Sequence, residues 1–294
     1  MERTSRLWLW IAVFLGIIIV GWYLYRGMAQ PTGPSGKLYM SISDASADIQ
    51  SVNDIAMTVN KVELRNSAGA WVTVSKTPKT VNLLTLKANG KAELAASADV
   101  AADTYDQVRA SVSKVDVKTK SGTKAAVLVS KTFTAPAKTV VRANEETHVD
   151  LDVEASNSLH TAAGGEFVFA PVILVTSRSG ADVTVSSDNN VTASGGTLDA
   201  SITVGTDISG ETRVNARLSP NATLEIKGGV PVLINASGSA AGASSGLIDI
   251  RTGAVINVGG SASGSATTSN SGASGGGSTI INVGAEGSGS INLY

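Results

Sequence analysis

Residues able to do chemistry are few in this chain of 294, which has two histidines, His148 and His160, and no cysteine. Thiolate nucleophiles, disulfides and cysteine-type zinc sites are thereby removed. His148, Asp150 and Asp152 stand at alternate positions, so a strand would carry all three on one face. A metal could use such a set, but residues i, i+2 and i+4 spread over about 13 Å, too far for one ion without other strands. A solvated polar face is the competing reading. Asp44, Asp48 and Asp54 lie near a turn and could join a Ca²⁺ site, though they lack the dense Asp/Gly spacing of a calcium loop. Serine is abundant, yet no G-x-S-x-G elbow with a base is visible, and no glycine loop precedes a helix to cradle phosphate. No catalytic, cofactor-binding or metal residue is assigned, and no cofactor is expected. Asn190, Asn221 and Asn235 open N-x-[ST] sequons and are candidate glycosylation sites where the host modifies asparagine. Trp71, the one Trp beyond the first 25 residues, reads as core rather than as a ligand stack. The net charge of −1 offers no basic field for nucleic acid.

The stretch that places everything else is Leu7 to Tyr25, LWLWIAVFLGIIIVGWYLY, without one charge. At about 1.5 Å per residue a helix of this length reaches about 29 Å, the thickness of a bilayer's hydrocarbon core. Trp8 and Trp10 at one end, and Trp22, Tyr23 and Tyr25 at the other, suit the two interfaces. Arg3 and Arg6 before the span outnumber Arg26 after it, which puts the N-terminus inside. The expectation is a cytoplasmic tip at 1–6, an uncleaved transmembrane anchor at 7–25, and the C-terminal bulk outside the cytoplasm. The rival is a signal peptide cleaved after Ala29, but its apolar region would be shorter and without aromatic belts.

GMAQPTGPSG at 27–36 is a Pro/Gly linker. From Lys37 the apolar period becomes two, the mark of half-buried strands. Leu38, Met40 and Ile42 alternate, as do Ile55, Met57 and Val59. Val62 and Leu64 then take the other parity, and this slip at Asn60-Lys61 predicts a β-bulge. Further strands are predicted at Trp71–Val74, Val81–Leu86, Tyr105–Val112 extended to Val117, Ala125–Val129, Lys131–Thr134, Thr139–Arg142, Val149–Val153 and Phe167–Val175. Lys91–Val100 shows no period and reads as a short helix or a loop. Many short strands and no long amphipathic helix indicate an all-β fold, an antiparallel β-sandwich over 37–177.

Gly36 to Asp48, GKLYMSISDASAD, resembles the opening G-x-L-x-V-x-L-T-D-A-P-A-D of the domain of unknown function numbered four-three-eight-two, a family of prokaryotic envelope proteins. Trp71–Val74, Val81–Leu84 with Leu86, Asn89-Gly90, Ala102–Arg109, Val149–Asp152 and Phe169–Ile173 follow in the family's order. Ser46, Asn82 and Ala170 depart from the family's Pro, Asp and Lys. The resemblance covers about residues 36–175. It implies an extracytoplasmic β-sandwich, transthyretin-like in one version, and no activity.

From Arg178 the composition shifts: 21 of the 31 glycines lie here, and the only aromatic is Tyr294. Strand signals persist, so 178–259 is read as a small second β region and 260–294 as a Gly/Ser-rich flexible tail with terminal short strands. Val255–Gly259 recurs as Ile280–Gly284, twenty-five residues on, but two copies are too few for a solenoid. A short strand beyond a flexible linker could pair with a neighbouring subunit and build a filament by strand addition, or close its own sheet.

The expected function is therefore that of a membrane-anchored extracytoplasmic structural or interaction protein of the cell envelope, without catalysis. A glycan- or Ca²⁺-binding surface module, using loops at Asp44–Asp54 or the 143–148 turn, is one alternative, and a filament subunit is another. Expected partners are the membrane, through a single span, and an envelope protein or polysaccharide, with no nucleic acid.

Overall fold

The computed structural model describes residues 33–44, 49, 51–236, 246–251, 255–259 and 280–284. The predicted anchor at 7–25, the tip at 1–6, most of the linker and the cleavage site after Ala29 lie outside the described residues, as do Asp48, the Gly/Ser run 260–278 and Ile291–Tyr294. Among the described residues no helix is long and apolar enough to cross a membrane.

The chain is mostly β. In order the strands are β1 (Ser35–Ser43), β2 (Val52–Arg65), β3 (Trp71–Ser75), β4 (Lys79–Asn82), β5 (Glu93–Ala101), β6 (Asp103–Thr119), β7 (Gly122–Ala125), β8 (Val127–Leu128), β9 (Thr132–Val141), β10 (Glu146–Val153), β11 (Leu159–Thr161), β12 (Phe167–Phe169), β13 (Val172–Val185), β14 (Val191–Thr206), β15 (Thr212–Val214), β16 (Ala216–Leu218), β17 (Ala222–Lys227), β18 (Val230–Ala236), β19 (Leu247–Asp249), β20 (Val255–Gly259) and β21 (Ile280–Gly284). Two helices interrupt them, α1 (Leu83–Asn89) and α2 (Ala155–Ser158).

Two six-stranded sheets face each other. One runs β15-β14-β13-β10-β1-β5; the other runs β3-β2-β6-β7, with β4 also on β2 and β9 also on β6. Their inner faces form one buried cluster. Leu38, Met40 and Ile42 of β1 meet Val149, Leu151 and Val153 of β10 on one side, and Ile55, Met57, Val108 and Ala110 on the other. Each large aliphatic side chain so buried contributes about 1.5–3 kcal/mol over leaving it in water. The alternation read in the sequence is the alternation observed, and the pairing of β2 with β6 shifts register between Val59 and Lys61, at the predicted bulge. Val59 and Val62 both stay buried because of that shift.

Several expectations need correction. The sandwich is not purely antiparallel: β1 and β10 pair parallel, Leu38 opposite Thr147 and Ile42 opposite Leu151. Between these two strands the chain has crossed to the other sheet and back, so no tight turn dictates their relative direction. Val81–Leu86 is not one strand. Asn82 ends β4 and caps α1, its side chain accepting from the Thr85 N–H at 3.0 Å, and Leu83 and Leu86 share the buried face. Apolar residues at 83 and 86 fit period two poorly and a helix well, and the cap decides. Gly90 closes the helix at φ +59°, a left-handed position suited to glycine.

Lys91–Val100 is largely strand β5, whose inward residues Ala96 and Val100 carry too little hydrophobic contrast to show a period. Lys131–Thr134 and Thr139–Arg142 belong to the single strand β9, which carries Pro136 beside a register shift. Phe167–Val175 breaks at Ala170-Pro171, so β12 joins β11 and β8 while β13 enters the large sheet. The boundary at 177/178 falls inside β13, and β14 continues the same sheet.

Beyond β15 a second small core gathers Val168, Ala170, Leu218, Leu224 and Leu247. The two copies of the repeat pair with each other. β20 and β21 run parallel, with Asn257 opposite Asn282 and Gly259 opposite Gly284.

Candidate functional site: a polar floor under a hairpin arm

β13 and β14 are long strands that bend together. At the elbow Gly180 has φ +60°, and Gly195 and Gly196 each have φ +65°. A Cβ on Gly196 would lie 2.6 Å from the Ser179 carbonyl oxygen and 2.8 Å from the Ala181 nitrogen, so the elbow admits only glycine there. Past the elbow, residues 181–195 form an arm that leaves the sheet edge. The Val183 N–H donates to Glu146 Oε2 at 3.0 Å. The tip reaches β5 on the opposite side of β1: the Leu94 N–H donates to the Asn189 carbonyl at 2.8 Å, and the Val191 N–H donates to the Ala92 carbonyl at 2.7 Å. Lys91 Nζ stands 2.6 Å from Asp188 Oδ2, and this contact holds the Asp188 carboxyl down to about 2. Nine extended steps from Ala181 to Asn190 supply about 30 Å, enough for four strand spacings of about 5 Å and some five residues along the sheet.

The arm accounts for an otherwise odd burial. By strand parity Tyr39, Ser41 and Ser43 on β1, and Glu146, His148 and Asp150 on β10, point away from the core. Yet Ser41 is 0 % exposed and His148 only 9 %. Parallel register sets Tyr39 opposite His148 and Ser41 opposite Asp150, and β13 adds Arg178 opposite His148. These residues form a polar floor under the arm.

The hydrogen-bond directions define what the floor can do. Ser41 Oγ donates to Asp150 Oδ1 at 2.5 Å, and Ser43 Oγ donates to Asp150 Oδ2 at 2.6 Å. The single Ser41 proton is therefore committed to the carboxylate. His148 Nε2, 2.8 Å from Ser41 Oγ, must be the donor in that contact. The imidazole therefore cannot take a proton from the serine: serine, not histidine, sits in the middle, the reverse of a nucleophilic triad. Burial pushes the His148 imidazole below its ordinary range, and the Arg178 charge adds to this against the opposing pull of Asp150. Burial also raises the Tyr39 phenol, helped by Glu146, whose Oε1 accepts from it at 3.3 Å. The floor residues bond chiefly to one another, and Glu146 also accepts from the arm's Val183 N–H.

Two clefts open at the two ends of the arm. One, of about 490 Å³, lies at the elbow between Arg142, Glu145, Glu146, Gly180, Asp182 and Thr197. The other, of about 170 Å³, lies where the tip meets α1, among Asn89, Lys91, Glu93, Asp188 and Asn190.

Of the residues singled out in the sequence, His148 and Asp150 come together through Ser41, whereas Asp152 lies a register step farther, opposite Ser43 and Leu174. Asp44 Oδ1 accepts from the Ala155 N–H at 3.4 Å at the start of α2, while Asp54 lies in β2 opposite Lys118. Among the described residues no three His, Asp or Glu side chains converge as a metal site requires. His160 lies elsewhere, on β11 opposite Val168. Trp71 is neither core nor open platform, because Arg109 covers its ring at 3.8 Å and binds Glu63 at 2.7 Å. Burial works to raise the Glu63 carboxyl, and hydrogen bonds from Lys61 and Arg109 overcome it and hold it low. Asn221 and Thr223 of the second sequon are exposed. Asn190 is half-buried in the arm tip with its Oδ1 enclosed, and Asn235 pairs opposite Thr223 in β18. Sequence reasoning missed Ser41, Glu146 and Arg178. The outward polar parity of β1 was visible, but its neighbour 107 residues away was not.

Residues 35–171, a little under half of the chain, match the family model described as Domain of unknown function (DUF4382). No curated protein and no solved structure matches the chain. The matched stretch ends just before β13, so the strand that covers β10, and the whole arm, lie beyond it.

Proposed function

We propose that this is a membrane-anchored extracytoplasmic interaction protein of the cell envelope that performs no catalytic step. The observation that carries the non-catalytic part is the direction of the Ser41–Asp150 hydrogen bond, which commits the Ser41 proton to Asp150 and leaves His148 out of the role of its base. The anchored, outward-facing part rests on the uncharged stretch Leu7–Tyr25, its aromatic ends and its flanking arginines. A β domain of about 170 residues held by one continuous core, with no cysteine to oxidise, suits a role of presenting surfaces away from the membrane. The test is fractionation of cells making the chain with a C-terminal tag, followed by protease added outside. The tag should sediment with membranes and be removed by the protease. A soluble protein, or a tag protected in intact cells and cut only after lysis, overturns the topology.

A second reading is favoured by the elbow cleft, which falls on the 143–148 turn: a polar ligand such as a glycan would find Arg142, Glu145, Asp182 and Thr197 there. Calorimetry of the full chain against a glycan panel decides it. Saturable heat that disappears in an Asp182→Ala, Arg142→Ala variant supports this reading, and absence of binding across the panel removes it.

A further inference from the structure

We propose that the arm, residues 181–195, is exchanged between two copies of this chain, each copy's arm lying across the other's polar floor and pairing with the other's β5. Three features lead there. The arm's tip contacts are made to distant parts of the chain rather than to its own root. They consist of two main-chain hydrogen bonds to Ala92 and Leu94, an exposed ion pair to Lys91, and the Val183 N–H held by Glu146. An identical arm from a second copy remakes every one of them without loss. Next, the elbow turns on Gly180, Gly195 and Gly196, and glycine moves from a left-handed to an extended backbone without steric cost. The β13–β14 ladder already continues through it, with Ser179 opposite Thr197 and Ala181 opposite Gly195, so a straightened elbow gives one uninterrupted hairpin. Finally, the floor needs a cover. Ser41 and His148 point away from the core yet are buried, on the face the arm crosses between Glu146 and β5, and Ala181 and Val191 of the arm are themselves 4 % exposed. An extended arm without a receiving floor would expose both surfaces. Exchange satisfies both at once, and it does so reciprocally, with the same patch used on each copy as a two-fold pair requires.

The register supplies a clean probe. Glu93 and Asn190 face each other across the β5–arm junction. The flanking bonds, Leu94 to Asn189 and Val191 to Ala92, make them a non-hydrogen-bonded antiparallel pair, with Cα atoms about 4.5 Å apart, within reach of a disulfide. The chain has no cysteine of its own. The full chain is co-expressed as two single variants, Glu93→Cys with one tag and Asn190→Cys with another. It is oxidised in detergent and read by non-reducing electrophoresis, with the Glu93→Cys, Asn190→Cys double variant alongside. Exchange yields a dimer carrying both tags, several-fold more abundant than the like–like dimers each single variant forms alone. It also links the double variant into a dimer. A double variant that closes only within one chain, with no excess of the two-tag dimer, overturns the proposal. Failure of both pairs to oxidise overturns it too, because the arm then does not lie on β5.

Discussion

Lowering the pH from 8 to 5 should destabilise this protein, and His160 should carry an identifiable share of the loss. Desolvation of the half-buried imidazole, and after it the neighbouring Arg217 charge, pushes its pKa from 6.5 down to about 4. One ring nitrogen donates to the Asn157 carbonyl, while Nε2 is enclosed with no hydrogen-bond partner among the described residues. Arg217 is itself fixed by a hydrogen bond to the Asn157 side chain, so it cannot swing away when a second cation forms. The sign follows from proton counting. Between pH 6.5 and 4 the unfolded chain binds a proton at this histidine and the folded chain does not, so stability is whole above 6.5 and is lost as pH falls toward 4. Integrating over that window gives a loss of about 2 kcal/mol at pH 5 and about 3 kcal/mol at pH 4, relative to pH 8. His148 acts in the same direction, so the wild-type curve contains both histidines. The His160→Asn variant isolates the first, because the Asn amide can still donate to the Asn157 carbonyl and cannot take up a proton. Denaturant titrations of the full chain in detergent, at pH 8 and pH 5, should show the variant losing about 2 kcal/mol less than wild type. Equal losses in the two proteins would refute the placement of a half-buried neutral imidazole against Arg217.

Leu38, wholly buried in β1, should cost about 2–5 kcal/mol when changed to Ala, whereas Leu198, half exposed on β14, should change stability by under about 0.5 kcal/mol on the same substitution; chemical denaturation with an unchanged m-value checks both. Gly90→Ala forces a side chain into the left-handed cap of α1 and should lower stability by about 1 kcal/mol, with no clash to add, since nothing lies within 4 Å of the new Cβ. Expressed in a host that glycosylates asparagine, the chain should carry sugar at Asn221, and Asn190 should stay bare once folded; peptide mass spectrometry distinguishes them. A chain ending at residue 171 retains the family's stretch but uncovers the β10 edge. It should fail to give a cooperative thermal transition by circular dichroism, and a transition like the full chain's would show that β13 and β14 are dispensable.

Much of the fold was legible in local pattern. Residue parity along a strand is fixed by backbone geometry over a few residues. Leu38, Met40 and Ile42 could therefore be assigned inward, and the bulge at Asn60-Lys61 placed, without knowing any partner. Local contrast is also where the reading failed. Ala96 is small enough to hide β5's period, and Leu83 and Leu86 fit a capped helix that only the Asn82 side chain reveals. The candidate site was half legible. The alternation His148, Asp150 announced a polar face, but its meaning depended on Ser41, brought alongside by a parallel pairing no local rule dictates. Composition separated 178 onward from what precedes it, whereas packing runs β13 and β14 straight through that boundary to cover the β10 edge.

By itself, then, the sequence determined which residues alternate into a core, where a strand must bulge, that thiol chemistry is absent, and that an uncharged nineteen-residue stretch precedes a β-rich remainder. Only the tertiary structure decided which strands are neighbours, which way the Ser41 proton points, and that an arm hinged on three glycines buries a face that parity alone would leave to solvent. The reason is physical: parity is a short-range steric property of the backbone, while pairing and coverage are settled by competition among surfaces far apart along the chain.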